Sequence, residues 1–544
     1  MSVQNLHNNN NNSADGLPRH TSVQIPLIGH TPTLNDKTMT AGFMSNEQIS
    51  KAIKEAKEAF RTGKTKNLKF RKQQLKKFEN LVYENKDDIC AALRADLNKP
   101  PFETLLCEYN LLVGELAELQ HLLDDYAKPE KKGGSFLTFF DSLYVQHEPL
   151  GTVLVMGAWN YPFLLSMQPV AGAIAAGNTV IMKMSEHSPH IGKLLAELFP
   201  KYLDSDCYKV VNCDLPTTQY LLAEHKFDQI FYTGGENGGR AVYSAASKNL
   251  TPIVLELGGK SPVYIDDEVC QREAVWKRLF WGKFLNAGQT CIAPDYVLCS
   301  EKAQQVAKKF FQKALQQFYN GDALNSEHYP RIVNATHFER IKKMLKESRF
   351  VHGGSLNAER LTIEPAIVLD VAMEDSIMSQ EIFGPVLPFV TCSSVQRAVE
   401  IINSRPKPLA LYIFSDSKKV QERFLTQTSS GGVCINDTVL QISVAALPFG
   451  GVGGSGFGKY HGRYSLDTFS NHRSVLARGF NPLLEWIGSS RYPPYTKNNL
   501  MLLTQLGTNR KFWLPGQMLT NCIAFATGVG SVFAYQALST VYQF

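Results

Sequence analysis

The chain has 544 residues, which is too long for one hydrophobic core and predicts two or three domains. Apolar residues make up 44% and charged residues 19%, a composition that excludes a wholly disordered protein. The net charge of +6 gives no argument for a nucleic-acid partner, although a basic surface favours contact with anionic lipid. The ten cysteines lack disulfide-framework or zinc-ligand spacing, so we expect a reducing compartment and no metal.

The first part of the chain is expected to carry no chemistry. Residues 1–43 include the asparagine run Asn8–Asn12 and few apolar residues, so we predict a disordered arm. The start lacks the charged and apolar regions of a signal peptide, which predicts a cytosol-facing protein. From Ser45 to Leu123, apolar residues recur at helical spacing among lysines, and we predict surface helices there. The stretch Ser142–His147 reads as a strand between turn-forming residues.

A buried strand is predicted at residues 151–156, and it runs into a polar turn at residues 157–162. Sites in open α/β sheets lie at the carboxyl ends of strands. The side-chain NH₂ of Asn160 could donate there to a developing oxyanion, together with the backbone N–H of Cys291. Asparagine before Tyr-Pro is a turn residue in most proteins, so this interpretation depends on the cysteine.

A second strand is predicted at Thr179–Lys183, after the small-residue helix Ala171–Ala176. Lys183 and Glu186 stand at its exit, where they could hold the ribose hydroxyls of an adenosine. A carboxylate in that place would repel a 2′-phosphate, so the sequence favours NAD over NADP. Charged side chains at strand ends are also commonly exposed to solvent without binding a ligand.

A third strand, Gln229–Thr233, ends in the glycine-rich run 234–239, and we predict a helix over Arg240–Lys248. Glycines before a helix N-terminus let a pyrophosphate approach free N–H groups, although such a motif is weak when taken alone. The repeated strand–helix units from residue 151 to residue 255 indicate a doubly wound, Rossmann-like α/β domain.

The chemistry is predicted to centre on Cys291. It follows a polar run in which Gly288 allows a tight backbone, and Pro294 stops any long helix behind it. Glu256 ends an apolar strand that leads into two glycines. A loop cysteine and a strand-end carboxylate supply a nucleophile and a base for covalent acyl chemistry. Most single cysteines are small buried hydrophobes, so the neighbours of Cys291 carry this interpretation.

Two later motifs complete a recognisable set: residues 381–386, which read Glu-Ile-Phe-Gly-Pro-Val, and the glycine-rich loop Pro448–Gly458. With the earlier motifs, they resemble the aldehyde dehydrogenase superfamily over roughly residues 45–500. Tyr460-His461-Gly462 and the run Arg491–Tyr495 are similar to its membrane-associated, class 3-like fatty aldehyde dehydrogenase branch.

The resemblance implies roles for individual residues. It makes Cys291 the nucleophile, Glu256 the base for water and Asn160 an oxyanion donor. The residues implied to hold NAD are Lys183, Glu186, Thr233, Gly234, Gly235, Gly238, Gly239, Glu381 and Phe383, with Glu381 at the nicotinamide ribose. Those implied to contact the aldehyde are Tyr161, Phe449 and His461. The family often has proline where Met184 stands and serine where Gly235 stands.

The resemblance also implies a domain plan. An NAD-binding domain would comprise residues 44–127 and 150–255, followed by an α/β catalytic domain at 256–459. Residues 128–149 and 460–480 would form a small β arm that builds a homodimer. A C-terminal extension would span residues 481–511, with a hydrophobic membrane anchor at 512–544.

The anchor is predicted from the last stretch, which has no charged residue after Lys511. Residues 523–541 would make a helix of about 28 Å, close to the roughly 30 Å hydrocarbon core. Its strongly apolar residues contribute about −2 to −4 kcal/mol to the free energy of membrane insertion. The Gly, Ser, Thr and Gln residues partly offset this contribution, so insertion is marginal. Arg510 and Lys511 would keep the catalytic body on the cytosolic side of the membrane. The candidate membranes are the endoplasmic reticulum, the mitochondrial outer membrane, the endosome and the lipid-droplet surface.

The expected function is NAD-dependent oxidation of long-chain aldehydes, such as the hexadecenal of sphingolipid breakdown, to fatty acids through a Cys291 thioester. A small aromatic or medium-chain aldehyde is an alternative substrate. A cysteine acyl hydrolase or transferase without redox chemistry would leave Lys183, Glu186 and Glu381 unexplained. A non-catalytic membrane-tethered scaffold would leave the nucleophile and the base unexplained.

Overall fold

A computed structural model describes residues 43–134, 138, 141–480, 482, 485, 488–507, 527 and 531. The expected disordered arm at 1–43 lies outside these residues except for Phe43, and the expected anchor at 512–544 lies outside them except for Thr527 and Ser531. No helix in the described part is both long enough and apolar enough to cross a membrane. Two compact units are present: Met1–Lys128 with His147–His472, and Pro129–Gln146 with Arg473–Phe544.

Strands and helices alternate along most of the described chain. The strands are β1 (Glu130–Lys131), β2 (Ser142–Pro149), β3 (Thr152–Met156), β4 (Thr179–Lys183), β5 (Tyr208–Val211), β6 (Gln229–Thr233), β7 (Ile253–Glu256), β8 (Pro262–Ile265), β9 (Tyr296–Cys299), β10 (Val351–Gly353), β11 (Leu356–Asn357), β12 (Thr362–Ile363), β13 (Ala366–Val368), β14 (Val386–Thr391), β15 (Ala410–Phe414), β16 (Gly432–Ile435), β17 (Gly456–Phe457) and β18 (Ser470–Ala477).

The α-helices follow the same alternation. They are α1 (Asn46–Arg61), α2 (Leu68–Glu84), α3 (Lys86–Leu97), α4 (Pro101–Thr104), α5 (Asn110–Tyr126), α6 (Leu164–Ala176), α7 (Pro189–Tyr202), α8 (Leu215–Glu224), α9 (Glu236–Lys248), α10 (Glu273–Phe284), α11 (Glu301–Tyr319), α12 (Ala335–Glu347), α13 (Val395–Asn403), α14 (Lys418–Gln427), α15 (Arg463–Thr468) and α16 (Lys497–Gly507). A π-helical turn, Leu105–Tyr109, joins α4 to α5.

The first large sheet has five parallel strands in the order β5-β4-β3-β6-β7, and β17 adds an antiparallel edge beside β7. Strands β3 and β4 are apolar and buried throughout, as expected for a parallel sheet covered on both faces. The strands predicted at 151–156, 179–183 and 229–233 are thereby confirmed. The order reverses between β3 and β6, which places a ligand crevice at their carboxyl ends.

The second large sheet has the order β10-β13-β14-β9-β8-β15-β16, and every pair except β10 with β13 is parallel. Its core includes the aromatic rings of Trp276, Phe280 and Phe284 on α10, all fully buried. The loop after α10 carries Cys291 and leads directly into β9, the central strand. Cys291 is therefore placed between a packed helix and the middle of a sheet.

The helices before the first sheet are amphipathic, as predicted. Ser45 caps α1 through its side chain, and the Gln48 side chain accepts in return from the Ser45 N–H. Ile49 and Ile53 on α1 pack in one buried cluster with residues of the first sheet. The solvent face carries the lysines, and the apolar face completes the core on that side.

The glycine-rich turn after β6 differs from its prediction. Helix α9 begins at Glu236 and not at Arg240, so Gly238 and Gly239 lie in its first turn. A Cβ at Gly238 would come within 2.1 Å of the Tyr232 hydroxyl. A Cβ at Gly239 would come within 2.7 Å of the Leu257 side chain. These two glycines are explained by close packing of α9 on the sheet, which one sequence cannot distinguish from ligand contact.

The second unit is small. Strand β1 pairs antiparallel with β2, which confirms the strand predicted from Ser142 and extends it to Pro149. The carboxylate of Asp141 accepts hydrogen bonds from Arg478 at 2.9 Å and 2.6 Å. The expected C-terminal extension at 481–511 includes α16.

A buried ion pair connects the segment before α4 to the start of α6. Lys99 Nζ lies 2.5 Å from Glu108 Oε1, and both side chains are fully buried. The other oxygen of Glu108 accepts from the backbone N–H groups of Phe163 and Leu164 at 3.0 Å and 3.1 Å. Lys99 also donates to the carbonyl oxygen of Asn160 at 2.9 Å. Because buried charges persist only when paired and hydrogen-bonded, this pair fixes the turn that carries Asn160.

We expect Lys99→Met to lower the free energy of unfolding by about 3–5 kcal/mol, because Glu108 would become an uncompensated buried charge. Urea denaturation measures the change. The matched control is Lys72→Met, which removes an exposed pair with Asp124 (2.6 Å) and should cost about 1 kcal/mol or less. Equal losses in the two variants would contradict a supporting role for the buried pair.

Candidate active site

The loop before Cys291 has an unusual backbone. Asn286 and Ala287 both have φ of 51°, and Gly288 has φ of 74°, so three successive residues are left-handed. This region costs a residue with a Cβ about 1–2 kcal/mol. A Cβ at Gly288 would lie 2.2 Å from the carbonyl oxygen of Gly384, so glycine is required there, as its place before the cysteine predicts. The surrounding structure must hold this turn in place.

Hydrogen bonds to the loop come from several elements. The Asn286 side chain donates to the carbonyl oxygens of Asn160 (2.8 Å) and Gln289 (3.2 Å). The Asn286 backbone N–H donates to the carboxylate of Glu103 at 3.1 Å. The Gln289 side chain donates to the carbonyl oxygen of Arg331 at 3.0 Å. The loop before Cys291 is thus fixed by its own side chains, which donate to backbone carbonyl oxygens of distant segments, and by the carboxylate of Glu103.

Cys291 is half-buried at the end of this loop. Burial, followed by the negative charges of Glu381 and Glu256, raises the pKa of its thiol to about 12. The backbone N–H groups of Cys291 and Ile292 act in the opposite direction, in favour of the thiolate. The thiol is therefore protonated at neutral pH, and its activation needs a positive charge or a proton acceptor.

Asn160 meets the nucleophile loop, as the sequence predicts. Its side-chain amide is buried and donates to the carbonyl oxygen of Gln289 at 3.0 Å. No acceptor for its second N–H is found among the described residues, so this N–H can serve a substrate oxygen. The neighbouring Tyr161 hydroxyl hydrogen-bonds with the Thr290 hydroxyl at 2.7 Å, and its ring faces the cleft described below.

Glu256 is the last residue of β7 and is only 3% exposed. Neither carboxylate oxygen has a hydrogen-bond partner within the described residues. Burial raises its pKa well above the usual value, and the Lys459 ammonium opposes that rise. Buried carboxylates without partners are rare in proteins, so Glu256 is a strong functional candidate.

The first set of predicted cofactor residues lies at the carboxyl ends of β4 and β6. Lys183 Nζ forms an ion pair with Glu186 at 2.7 Å. Partial burial opposes ionisation of Glu186, but the Lys183 charge outweighs it and the pKa of Glu186 falls. Thr233 ends β6 with a buried hydroxyl that has no partner in the described part of the chain. Gly234 and Gly235 then lead into the N-terminus of α9.

The second set lies where the two large sheets meet. A Cβ at Gly258 would come within 2.2 Å of Glu381 Oε2, so this glycine lets the carboxylate rest on the backbone after β7. Burial and the Asp295 charge raise the pKa of Glu381 to about 8. Phe383 has a left-handed backbone (φ 47°), and its ring packs edge-on against Trp159 at 5.4 Å.

An apolar cleft opens beside Cys291. It encloses about 80 Å³ and is lined mainly by hydrocarbon, including the side chains of Leu106, Leu111, Leu164, Trp281, Ile442 and Phe449. The ring of Phe449 stacks on His461 with a centroid separation of 5.2 Å.

His461 does not reach this cleft, contrary to its expected place at the aldehyde. It is 2% exposed and lies behind Phe449, and burial lowers its pKa to about 3. His461 is therefore neutral, and it supports the ring that does line the cleft. The spacing of Tyr-His-Gly in the sequence does not show which of these side chains faces inward.

Sequence reasoning missed the contribution of the segment before α5. Residues up to 123 were expected to form surface helices without chemistry, but Lys99, Glu103 and Glu108 contact the two loops that carry Asn160 and Cys291. The available signal was a charged residue inside an apolar run, because such a charge needs a buried partner.

Comparisons with known proteins identify the family. Residues 25–475 match the profile of the Aldehyde dehydrogenase family. The chain is 46% identical to "Aldehyde dehydrogenase, dimeric NADP-preferring" of Rattus norvegicus, over 82% of this chain and 98% of that protein. It is 43% identical to "Aldehyde dehydrogenase family 3 member A2" of Mus musculus, over 88% of this chain and 99% of that protein.

A solved structure, "Substrate bound state of Staphylococcus Aureus AldH", is similar with a TM-score of 0.80 and 36% identity, covering 84% of this chain and 99% of that one. The fold, the order of the motifs and the relatives agree over most of the chain. It therefore belongs to the aldehyde dehydrogenase family, in the family 3 branch, and is an NAD(P)-dependent aldehyde dehydrogenase.

Proposed function

We propose that the chain oxidises long-chain aldehydes to fatty acids with NAD. One observation carries this proposal: burial, the Glu381 charge and the negative charge of the unpaired Glu256 carboxylate raise the pKa of the Cys291 thiol, and Cys291 lines an apolar cleft. A hydrocarbon lining with few polar groups favours a substrate with an apolar tail. The reactive carbonyl would meet the cysteine, and the tail would occupy the cleft.

The first stage uses Cys291 and Asn160. The Cys291 sulfur loses its proton and attacks the aldehyde carbon, which forms a thiohemiacetal. The free N–H of Asn160 and the Cys291 backbone N–H donate to the oxyanion. Losing one such donor typically costs about 2.7–4 kcal/mol of transition-state stabilisation. Because both groups are held by the loop contacts described above, they need no reorganisation during the reaction.

The residues around the crevice fit a dinucleotide. A glycine turn at the N-terminus of α9 suits a pyrophosphate, and the unpartnered Thr233 hydroxyl points to a missing polar partner. Lys183 and Glu186 suit one ribose, and Glu381 suits the other. Bound NAD⁺ supplies the hydride acceptor that converts the thiohemiacetal into a thioester.

The second stage uses Glu256. Its carboxylate takes a proton from a water molecule as the water attacks the thioester carbon, and the Cys291 thiolate leaves. Burial raises the pKa of Glu256, and a carboxylate with a higher pKa is a stronger proton acceptor once it is ionised. The products are the carboxylic acid and the regenerated nucleophile.

We expect Glu256→Gln to slow thioester hydrolysis by about 10²-fold or more while the first burst of NADH survives. Stopped-flow absorbance compares the burst with the steady state. Cys291→Ser is the control and should remove both, since a serine alkoxide is far harder to form than a thiolate. Equal losses of burst and steady-state rate in Glu256→Gln would instead show that Glu256 acts earlier, on the thiol.

The preference for NAD is proposed from Glu186, although the rat relative is named NADP-preferring. We expect Glu186→Gln to shift the ratio of kcat/KM for NADP over NAD upward by about tenfold or more, because repulsion of a 2′-phosphate is lost and Lys183 gains a free positive charge. The control is Glu236→Gln, which removes a carboxylate paired with Arg240 and should leave the ratio unchanged. An unchanged ratio in Glu186→Gln would exclude Glu186 as the selecting residue.

We further propose a homodimer held to a membrane by residues 512–544, with the body in the cytosol. The rat relative is named dimeric, which supports the oligomeric state. Long-chain aldehydes partition into bilayers and lipid droplets, so an enzyme at that surface meets a higher local substrate concentration. The uncharged tail after Lys511 supports the anchor.

Deletion of residues 512–544 should release the protein into the soluble fraction. Activity on a short soluble aldehyde should stay nearly unchanged, because the catalytic residues lie in the retained body, whereas activity on membrane-embedded long-chain aldehyde should fall. Fractionation and kinetics across aldehyde chain lengths measure both effects. The matched control deletes residues 1–42 and should still pellet with membranes; a tail deletion that also pellets would show that residues 512–544 are not the anchor.

A further inference from the structure

Tyr460 stands out among buried residues that the proposed mechanism does not use. Its side chain is fully buried, and its hydroxyl has no hydrogen-bond partner within the described ranges. Reciprocal backbone hydrogen bonds of 2.9 Å and 3.0 Å tie it to Phe449. Its ring packs against Phe231 at 5.1 Å and His461 at 4.6 Å. Its position is therefore fixed, while its polar atom is unused.

Phe449, the backbone partner of Tyr460, lines the cleft beside Cys291. A Cβ on the next residue, Gly450, would lie 2.9 Å from Glu256 Oε1, so Tyr460 is held next to the reaction centre. The charges of Glu256 and Cys291, with that of Glu115, act on its hydroxyl and, together with burial, raise its pKa well above the usual value. Tyr460 is therefore a neutral O–H donor near both the base and the nucleophile. The base has unused polar atoms of its own, since both oxygens of Glu256 lack partners. Buried polar groups of this kind normally find a partner, so a participant in the reaction would satisfy both residues.

We infer that Tyr460 is a positioning residue for hydrolysis, whose hydroxyl donates a hydrogen bond to the water that Glu256 deprotonates. The inference rests on the proposed function and assigns a second partner to the water. A buried water needs two to four polar partners, and a single carboxylate does not fix its orientation. Lys459, the charged neighbour of Glu256, is already engaged with the carbonyl oxygens of Gly450 and Gly431.

The step balances without any further reactant. The water oxygen bonds to the thioester carbon, one water proton moves to the Glu256 carboxylate, and the other stays on the new carboxylic acid. The C–S bond breaks and its electron pair returns to Cys291 as a thiolate. Tyr460 keeps its proton throughout, so its contribution is orientation only.

Tyr460→Phe tests the inference, because it removes one oxygen and keeps the packed ring. We expect the NADH burst to survive and the steady-state rate to fall at least about tenfold. Intact-mass spectrometry should show the acyl group accumulating on Cys291. Hydroxylamine, a stronger nucleophile than water, should release it from isolated acyl-enzyme equally fast in variant and wild type. The matched control is Tyr208→Phe, which also removes a buried, unpartnered hydroxyl but one that faces Cys207, Asp204 and Arg71.

Different outcomes contradict the role of Tyr460 and the proposed function. Wild-type-like hydrolysis by Tyr460→Phe overturns the inference alone, and so does an equal loss of burst and steady-state rate, since that pattern marks a structural role. An equal slowing in Tyr208→Phe also overturns it. A wild-type enzyme that forms no acyl group on Cys291 overturns the proposed function, and the inference falls with it.

Discussion

The left-handed turn at residues 286–288 is the constraint on which the rest of the site depends. Two of its three residues carry a Cβ and are strained, so the turn persists only because other elements hold it. The Asn286 side chain binds the backbone of Asn160, and Asn160 in turn is held by the buried pair of Lys99 and Glu108. The loop that carries Cys291 and the turn that carries Asn160 therefore share one support.

Burial disfavours negative charge throughout the site, and neighbouring carboxylates add to this effect at Cys291 and Glu381. Burial and the carboxylates of Glu381 and Glu256 raise the pKa of the Cys291 thiol to about 12, and burial raises the pKa of Glu256 well above its usual value. A cationic cofactor ring bound beside Cys291 would favour ionisation of its thiol, because a nearby positive charge stabilises the thiolate.

The sequence was sufficient for the parts of the protein that depend on local pattern. Hydrophobic periodicity predicted the α/β alternation and the strands at 151–156, 179–183 and 229–233 to within a residue, but it placed the helix before the second of these strands at 171–176 where the structure has Leu164–Ala176. Cys291, Glu256 and Asn160 were predicted as site residues from the motifs around them; in the structure, Asn160 donates to the loop before Cys291, and the charge of Glu256 acts on the Cys291 thiol. The start of α9 was predicted at Arg240 and lies at Glu236. In a sequence, glycines that allow a helix to pack closely cannot be distinguished from glycines that make room for a phosphate.

Tertiary structure alone decided which side chains support the site. A charge inside an apolar run shows that Lys99 and Glu108 need buried partners, but the sequence does not say which residues those partners are, since the backbone groups they bind lie far away in the chain. His461 was expected at the substrate and is instead buried behind Phe449, because which of two neighbouring side chains faces inward depends on packing. The sequence thus determined the secondary-structure elements and the candidate site residues, whereas long-range burial and hydrogen bonding determined the positions and orientations of those side chains.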